Sequence, residues 1–181
     1  SLWYVSAKRD ESVFDDPFSV AGMAATDGPS GLRPDATQPS RDVSDSDGSK
    51  IDHLAVSAVS DIEEFWSAAY SETFDGEFEP VEGLMSWDAE SFDGEFCGLE
   101  TYGLVNAAFC KPDQTIGWDR GVLLPALRVL HGDMGVVMVL AHEYGHAIQQ
   151  QSRSVGRATP TLVAEQQADC LAGTYMRRVA E

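Results

Sequence analysis

The segment His142-Glu143-Tyr144-Gly145-His146 combines residue types and a spacing that suit metal-assisted attack of water. On a helix, His142 and His146 lie on one face, so both imidazoles can reach one metal ion. Glu143 lies about 100° further around the helix, where its carboxylate can contact a water on the metal without binding the metal. Two neutral imidazoles with a carboxylate as general base are typical of zinc.

A buried helix is predicted to carry this segment. Asp133 is a candidate N-cap, and the residues from Met134 to Ala141 form an apolar run that leads into the motif. Two ordinary surface histidines are the alternative, but buried imidazoles need partners, and a metal supplies one. Gly145 costs about 1 kcal/mol relative to Ala in a helix interior. A closely packed backbone beside the metal would explain it.

A third ligand is expected downstream, because catalytic zinc sites use three protein ligands and one open position. Glu165 and Asp169 are the candidates, and their spacing places them on one face of a second predicted helix. Glu165 can ligate zinc, and Asp169 can accept a hydrogen bond from the distal nitrogen of a ligating His. An ordinary solvated acidic face is the alternative. Residues 152–160 between the two helices predict a loop.

These motifs together resemble a known family. His-Glu-x-x-His followed about twenty residues later by Glu-x-x-x-Asp resembles the gluzincin metallopeptidases, the thermolysin-like group. The sequences of both motifs, and of residues 109–116, are similar to those of the bacterial neutral zinc metallopeptidases. The resemblance covers about residues 51–181 and is strongest from Cys97 onward. It implies a zinc endopeptidase with Zn²⁺ held by His142, His146 and Glu165. Asp169 then supports a ligand, and Glu143 is the general base.

The resemblance also implies where a substrate lies, since zincins add an extended peptide to the edge of a sheet. We predict that edge to be the strand from Thr115 to Asp119, through Ile116, Gly117 and Trp118. A Tyr, His or Arg side chain should help to stabilise the oxyanion. Tyr175, Tyr102 and His131 are all possible, and the sequence does not choose among them.

The chain has three cysteines, so at least one is unpaired. Cys97 and Cys110 flank a short stretch and are predicted to be bonded, and the resemblance places both in a solvent-facing lid before the active helix. Cys170 lies in the pattern of the second helix and is predicted to be a buried thiol. A disulfide indicates an oxidising compartment, so we expect a secreted or cell-envelope protein.

Net charge excludes some partners. The formal charge is −18, almost all of it from residues 1–99. Nucleic acid is excluded because phosphate binding needs a basic face, and an anionic membrane surface is disfavoured for the same reason. No apolar run approaches the length of a membrane span. We therefore expect a peptide or protein substrate, and a membrane only through an anchor outside this chain.

The chain is expected to form one domain after an extension. Residues 1–49 are predicted to be an N-terminal extension, and residues 27–49 within it an acidic, partly disordered linker rich in Asp, Ser, Gly and Pro. Residues 50–181 predict an α+β domain with a minimal zincin-like core of a small sheet, an active-site helix and a second ligand helix. The elements expected before the site are a helix from Ile51, an extended segment from Phe78 to Trp87, a strand within Tyr102 to Phe109, and a short helix from Leu123 to Leu130.

Two other functions compete. The first is a catalytically inactive, zinc-stabilised interaction module, although a structural zinc site does not need Glu143. The second is a di-iron helical protein, which takes Glu-x-x-His from each of two helices. Glu143 and His146 supply one such pair, but His53 and His131 have Lys50 and Arg128 in place of the required Glu.

Overall fold

A computed structural model describes residues 40–91 and 94–179 of the chain. Over these residues the fold is α+β, with four helices and a small mixed sheet. The helices are α1 (Lys50–Thr73), α2 (Leu123–His131), α3 (Asp133–Ser152) and α4 (Thr161–Val179). The strands are β1 (Gly83–Trp87), β2 (Glu95–Phe96), β3 (Leu99–Glu100), β4 (Ala107–Cys110) and β5 (Thr115–Asp119).

Helix α1 confirms the periodicity that begins at Ile51. The Ser49 side chain accepts a hydrogen bond from the Asp52 N–H and caps the first turn. Apolar residues three and four apart then bury one face of the helix against α3 and in the core that it shares with the sheet. The most completely buried members of this face are Ala55, Val59, Ile62, Trp66 and Tyr70.

The main sheet has the strand order β1-β5-β4, with β1 parallel and β4 antiparallel to β5. The strand from Thr115 to Asp119 is therefore central, and the prediction that it is an edge was wrong. Residues 116 to 119 are all buried. A side-chain atom at Gly117 would lie 2.5 Å from the Phe96 ring and 2.7 Å from the Trp87 ring. Because β5 is paired along both edges, a peptide cannot add to it as a further strand.

Strand β4 is shorter than the predicted segment from Tyr102 to Phe109. The chain first turns at Gly103, whose φ of +75° favours glycine. Pairing with β5 starts near Asn106, whose carbonyl accepts from the Asp119 N–H.

The short helix predicted from Leu123 is confirmed as α2. Gly132, rather than Asp133, is the residue that precedes α3, and Asp133 instead pairs with Arg128 at 2.6 Å.

The cysteines divide as one bonded pair and one free thiol. Cys97 and Cys110 form the predicted disulfide, which closes the segment between β2 and β4. Cys170 is unpaired, as expected, but it is exposed on α4. The prediction of a buried thiol was wrong because α4 packs with Ala168 and Leu171 inward, which turns Cys170 outward.

Residues 1–39 of the predicted extension lie outside the described residues. Residues 40–49 run along the domain, where Ser44 bridges to Met85 of β1 and Arg41 donates to the Val81 carbonyl at 2.6 Å. Arg41 also pairs with Glu63 of α1. Among the described residues, no helix is both long and apolar enough to cross a bilayer.

Candidate metal centre

Helix α3 places two imidazoles side by side. The ring centroids of His142 and His146 are 4.8 Å apart and the rings are perpendicular. The four-residue spacing makes them neighbours on one helix face. Both side chains are partly exposed, at 22% and 17%, so a small ion or a substrate group can reach them. The predicted apolar face of the helix is formed behind them by Val136, Leu140 and Ala141.

Helix α4 brings a carboxylate to each His142 ring nitrogen. Glu165 Oε2 lies 3.2 Å from His142 Nε2 and 3.4 Å from His146 Nε2. Asp169 Oδ1 lies 2.8 Å from His142 Nδ1. One ligand atom from each of His142, His146 and Glu165 falls within 4.8 Å of the others, so the three residues could hold a metal ion.

The absence of a side chain at Gly145 allows the two helices to approach this closely. A Cβ at Gly145 would lie 2.8 Å from the Ala168 carbonyl oxygen and 3.1 Å from the Ala168 Cα. The backbone of α4 is therefore packed directly against that of α3, one residue before His146. Ala168 itself lies between Glu165 and Asp169, so this contact sets the distance of both carboxylates from the imidazoles.

The hydrogen bonds at the two Nδ1 atoms determine the protonation of the rings. The Asp169 carboxylate only accepts, so His142 donates from Nδ1–H. The buried Gln149 amide donates from Nε2 to the Ala164 carbonyl at 2.6 Å, which leaves its Oε1 to face His146 Nδ1 at 2.9 Å. His146 therefore also donates from Nδ1–H. In each neutral ring, Nε2 then carries a lone pair.

When both rings are neutral, three acceptor atoms converge, namely Nε2 of His142, Nε2 of His146 and Oε2 of Glu165. They repel one another unless a proton on each ring or one shared cation lies between them. Two ligand atoms about 2.0–2.1 Å from zinc lie about 3.4 Å apart at a tetrahedral angle. The 3.2 and 3.4 Å separations of the Glu165 oxygen from the two nitrogens match that geometry.

Glu143 lies beside this group without belonging to it. Its Oε2 accepts a hydrogen bond of 3.0 Å from the Phe109 N–H of β4. Burial raises the pKa of the Glu143 carboxyl above its usual value, while His146, His142 and the Phe109 N–H act in the opposite direction. A half-buried carboxylate of raised pKa, next to two imidazoles that could hold a metal ion, is suited to accept and release a proton.

The remaining predicted site residues lie elsewhere. Tyr175 is buried and donates to Asp61 of α1 at 2.7 Å, so its hydroxyl is used in helix packing rather than free for an oxyanion. Tyr102 is exposed in the loop before β4, and His131 is exposed at the end of α2. Strand β5, which contains Thr115 and Trp118, is separated from α3 by its pairing with β4, and β4 supplies the contact to Glu143.

Sequence reasoning missed two groups that contact the site. Gln149 follows His146 by three residues, so its place on the same helix face could have indicated a partner for the ring. The Phe109 N–H is a backbone group, and no residue type signals it.

Comparison with family models, curated proteins and solved structures gives no match to this chain. The resemblance to neutral zinc metallopeptidases therefore stays a prediction from the motifs.

Proposed function

We propose that this protein is a zinc-dependent endopeptidase with a zincin-like core. The observation that carries the proposal is the convergence of two imidazole nitrogens and one carboxylate oxygen, which lies 3.2 and 3.4 Å from the two nitrogens. Nitrogen and carboxylate ligands in this number suit zinc with one position left open. A di-iron protein is not favoured, because Glu143 bonds to β4 and does not join the group.

Zinc bound there supplies a water of pKa ~7 and polarises a substrate carbonyl. The protein's own residues do the rest. Asp169 and Gln149 hold the two imidazoles in the orientation that presents Nε2. Glu143 has one carboxylate oxygen on the Phe109 N–H, which leaves the other to accept a proton from the attacking water. Glu143 then passes that proton to the leaving amine.

The edge of β4 is the place we propose for an extended peptide. Strand β4 pairs with β5 on one side, and over residues 40–91 and 94–179 no strand pairs with its other side. The Phe109 N–H points from that side toward Glu143. A peptide that adds to this edge would therefore pass beside both the general base and the metal ligands.

One feature, a disulfide, supports an extracytoplasmic setting. The disulfide between Cys97 and Cys110 is of a kind that persists in oxidising compartments. It also holds the segment that leads into β4, so the proposed substrate edge is tied at Cys110. We propose a secreted or cell-envelope protein on this basis.

One observation favours a second function, a non-catalytic zinc-stabilised interaction module. The bond from the Phe109 N–H to Glu143 joins β4 to α3, so Glu143 has a structural use whether or not it acts as a base. A structural site would keep this contact and the metal while hydrolysing nothing.

Glu143→Gln separates the two functions. A glutamine oxygen can still accept from the Phe109 N–H, but the amide cannot take a proton from water. We expect unchanged zinc content and fold, and a loss of about 10²–10⁴-fold in hydrolysis of an unfolded protein substrate. Wild type and variant are compared at equal zinc occupancy, with Glu64→Gln on the exposed face of α1 as the control. Wild-type protein that binds zinc but cleaves nothing would leave the interaction module as the better function.

A further inference from the structure

Gln149 is a buried polar side chain in α3, 2% exposed, that makes three hydrogen bonds. Its Oε1 accepts from His146 Nδ1 at 2.9 Å. Its Nε2 donates to the Ala164 carbonyl at 2.6 Å and to Gln167 Oε1 at 3.1 Å. Both of the latter partners belong to α4, so this one amide joins the two helices that carry the candidate ligands.

The direction of the amide is fixed by its partners. A backbone carbonyl only accepts, so the atom next to Ala164 must be the amide nitrogen, and the oxygen must face His146. Because His146 then carries its proton on Nδ1, its Nε2 is free to bind a metal. The bond to α4 thus determines which nitrogen of a ring on α3 is available.

The same amide also acts on the third ligand. Ala164 directly precedes Glu165. The hydrogen bond to the Ala164 carbonyl therefore holds the first turn of α4 in the position from which the Glu165 carboxylate reaches both imidazoles. The N-terminal turn of a helix frays most easily, since its early residues have fewer intrahelical bonds. The hydrogen bond at Ala164 therefore adds a restraint from α3 at the end of this first turn, next to Glu165.

We propose that Gln149 is the positioning residue of the metal centre, which sets the Nδ1–H tautomer of His146 and fixes the distance of Glu165 from it. This deepens the proposed function and rests on it for the role of the metal. Asp169 does the corresponding work for His142 from the other helix. The two ligating rings are thus oriented by different groups, one charged and exposed, the other neutral and buried.

The test uses two substitutions of Gln149 and one matched control. Gln149→Met keeps the length of the side chain but removes all of its hydrogen bonds. Gln149→Glu keeps an acceptor for His146 Nδ1–H while it loses the donor to Ala164. Gln151→Met makes the same change two residues on, where the amide also bonds to backbone, with Glu79 N–H and carbonyl as its partners. The control therefore removes comparable bonds away from the site.

The first readout is the tautomer of His146 in the metal-free protein, from multiple-bond ¹⁵N–¹H spectra. We expect Nδ1–H in wild type, Gln149→Glu and Gln151→Met, and loss of that form in Gln149→Met. The second readout is zinc affinity by competition with a chelator, which should fall about 10–100-fold in Gln149→Met and stay unchanged in Gln151→Met. A purely structural amide would lower stability in both Met variants without moving the tautomer.

Gln149→Met with an intact Nδ1–H tautomer and wild-type affinity would overturn the proposal. So would equal losses of affinity in Gln149→Met and Gln151→Met. If Gln149→Met does not fold, loss of the Nδ1–H form in Gln149→Glu would overturn the proposal instead, because that variant keeps the acceptor. A wild-type protein that binds no zinc, yet shows the tautomer follow Gln149, would refute the metal centre and the proposed function while supporting the orientation of the ring.

Discussion

Residues Glu165 and Asp169 show how two carboxylates one helical turn apart take different parts in one site. Glu165 faces the two Nε2 atoms, whereas Asp169 contacts only the Nδ1 of His142. Asp169 is 64% exposed, so its charge is screened by water and its main effect is to hold the ring by a directed hydrogen bond. The first residue is placed to bind a metal, and the second to orient a ligand.

This division predicts unequal effects of substitution. Glu165→Ala removes one of three ligands, and zinc should then be lost on dialysis against a mild chelator. Asp169→Asn leaves a weaker acceptor for His142 and should reduce zinc affinity by about 10–100-fold. Metal content and chelator competition measure both effects. Gln166→Ala, exposed between the two carboxylates, should bind zinc as wild type does. Equal zinc retention in Glu165→Ala and wild type would contradict the assignment.

At this scale the candidate ligands and the supporting Asp169 could be predicted from the sequence, whereas the contacts of Gln149 and of the Phe109 N–H were missed. His142 and His146 share a helix face because of their four-residue spacing, and so do Glu165 and Asp169. Each pair can therefore be recognised from the local sequence alone. Gln149 lies three residues after His146 on α3, but its amide is oriented by Ala164 of α4, and Glu143 is bonded to Phe109 of β4. Such contacts depend on tertiary structure, and one of them uses a backbone N–H.

At the scale of elements, the site depends on how closely α4 lies against α3. Gly145 and Ala168 form the contact, and a single methyl group is enough to obstruct it. A glycine inside the motif helix was expected to lie against a close backbone, and it does. The neighbouring backbone is that of the second ligand helix.

Gly145→Ala should therefore separate the helices despite the better helix propensity of alanine. We expect a loss of about 1–3 kcal/mol in the free energy of unfolding, as for other overpacked positions, and weaker zinc binding. Gly173→Ala is the matched control, since a methyl group there meets nothing within 4 Å. That change should stabilise α4 by up to about 1 kcal/mol. Urea unfolding of both variants measures this, and a Gly145→Ala protein as stable as the control would show that the helices are not in tight contact.

Element types were more predictable than element neighbours. The helices α1 and α2 follow from local apolar spacing, and β5 was expected at the residues where it lies. Its central position was not predictable from a five-residue run, because short strands at an edge and in a centre can have the same composition. Phe96 and Trp87, which cover Gly117, come from other strands. The edge that approaches the metal ligands was consequently assigned to the wrong strand.

For the molecule as a whole, the acidic character and the candidate metal centre lie in different parts of the chain. Most of the −18 charge comes from residues before position 100, whereas the candidate metal ligands lie beyond residue 140. At the site itself, the carboxylates of Glu143, Glu165 and Asp169 surround two histidines. A divalent cation would offset this local negative charge, which is a second reason to expect metal binding to stabilise the folded protein.

Metal binding should accordingly raise thermal stability, because the ligands come from two helices that are correctly spaced only in the folded state. A ligand that binds the native state alone stabilises it by about 2.7 kcal/mol at 100 times its Kd and by about 4.1 kcal/mol at 1,000 times. Thermal unfolding with increasing zinc should show a Tm that rises with concentration and returns on addition of chelator. Calcium should give no such rise, since it prefers oxygen ligands in larger number. Glu165→Ala should abolish the zinc-dependent rise, while Glu143→Gln and Gln166→Ala should keep it. A Tm that rises equally in Glu165→Ala would mean that zinc acts through other groups, and a Tm independent of zinc in the wild type would remove the metal centre from this fold.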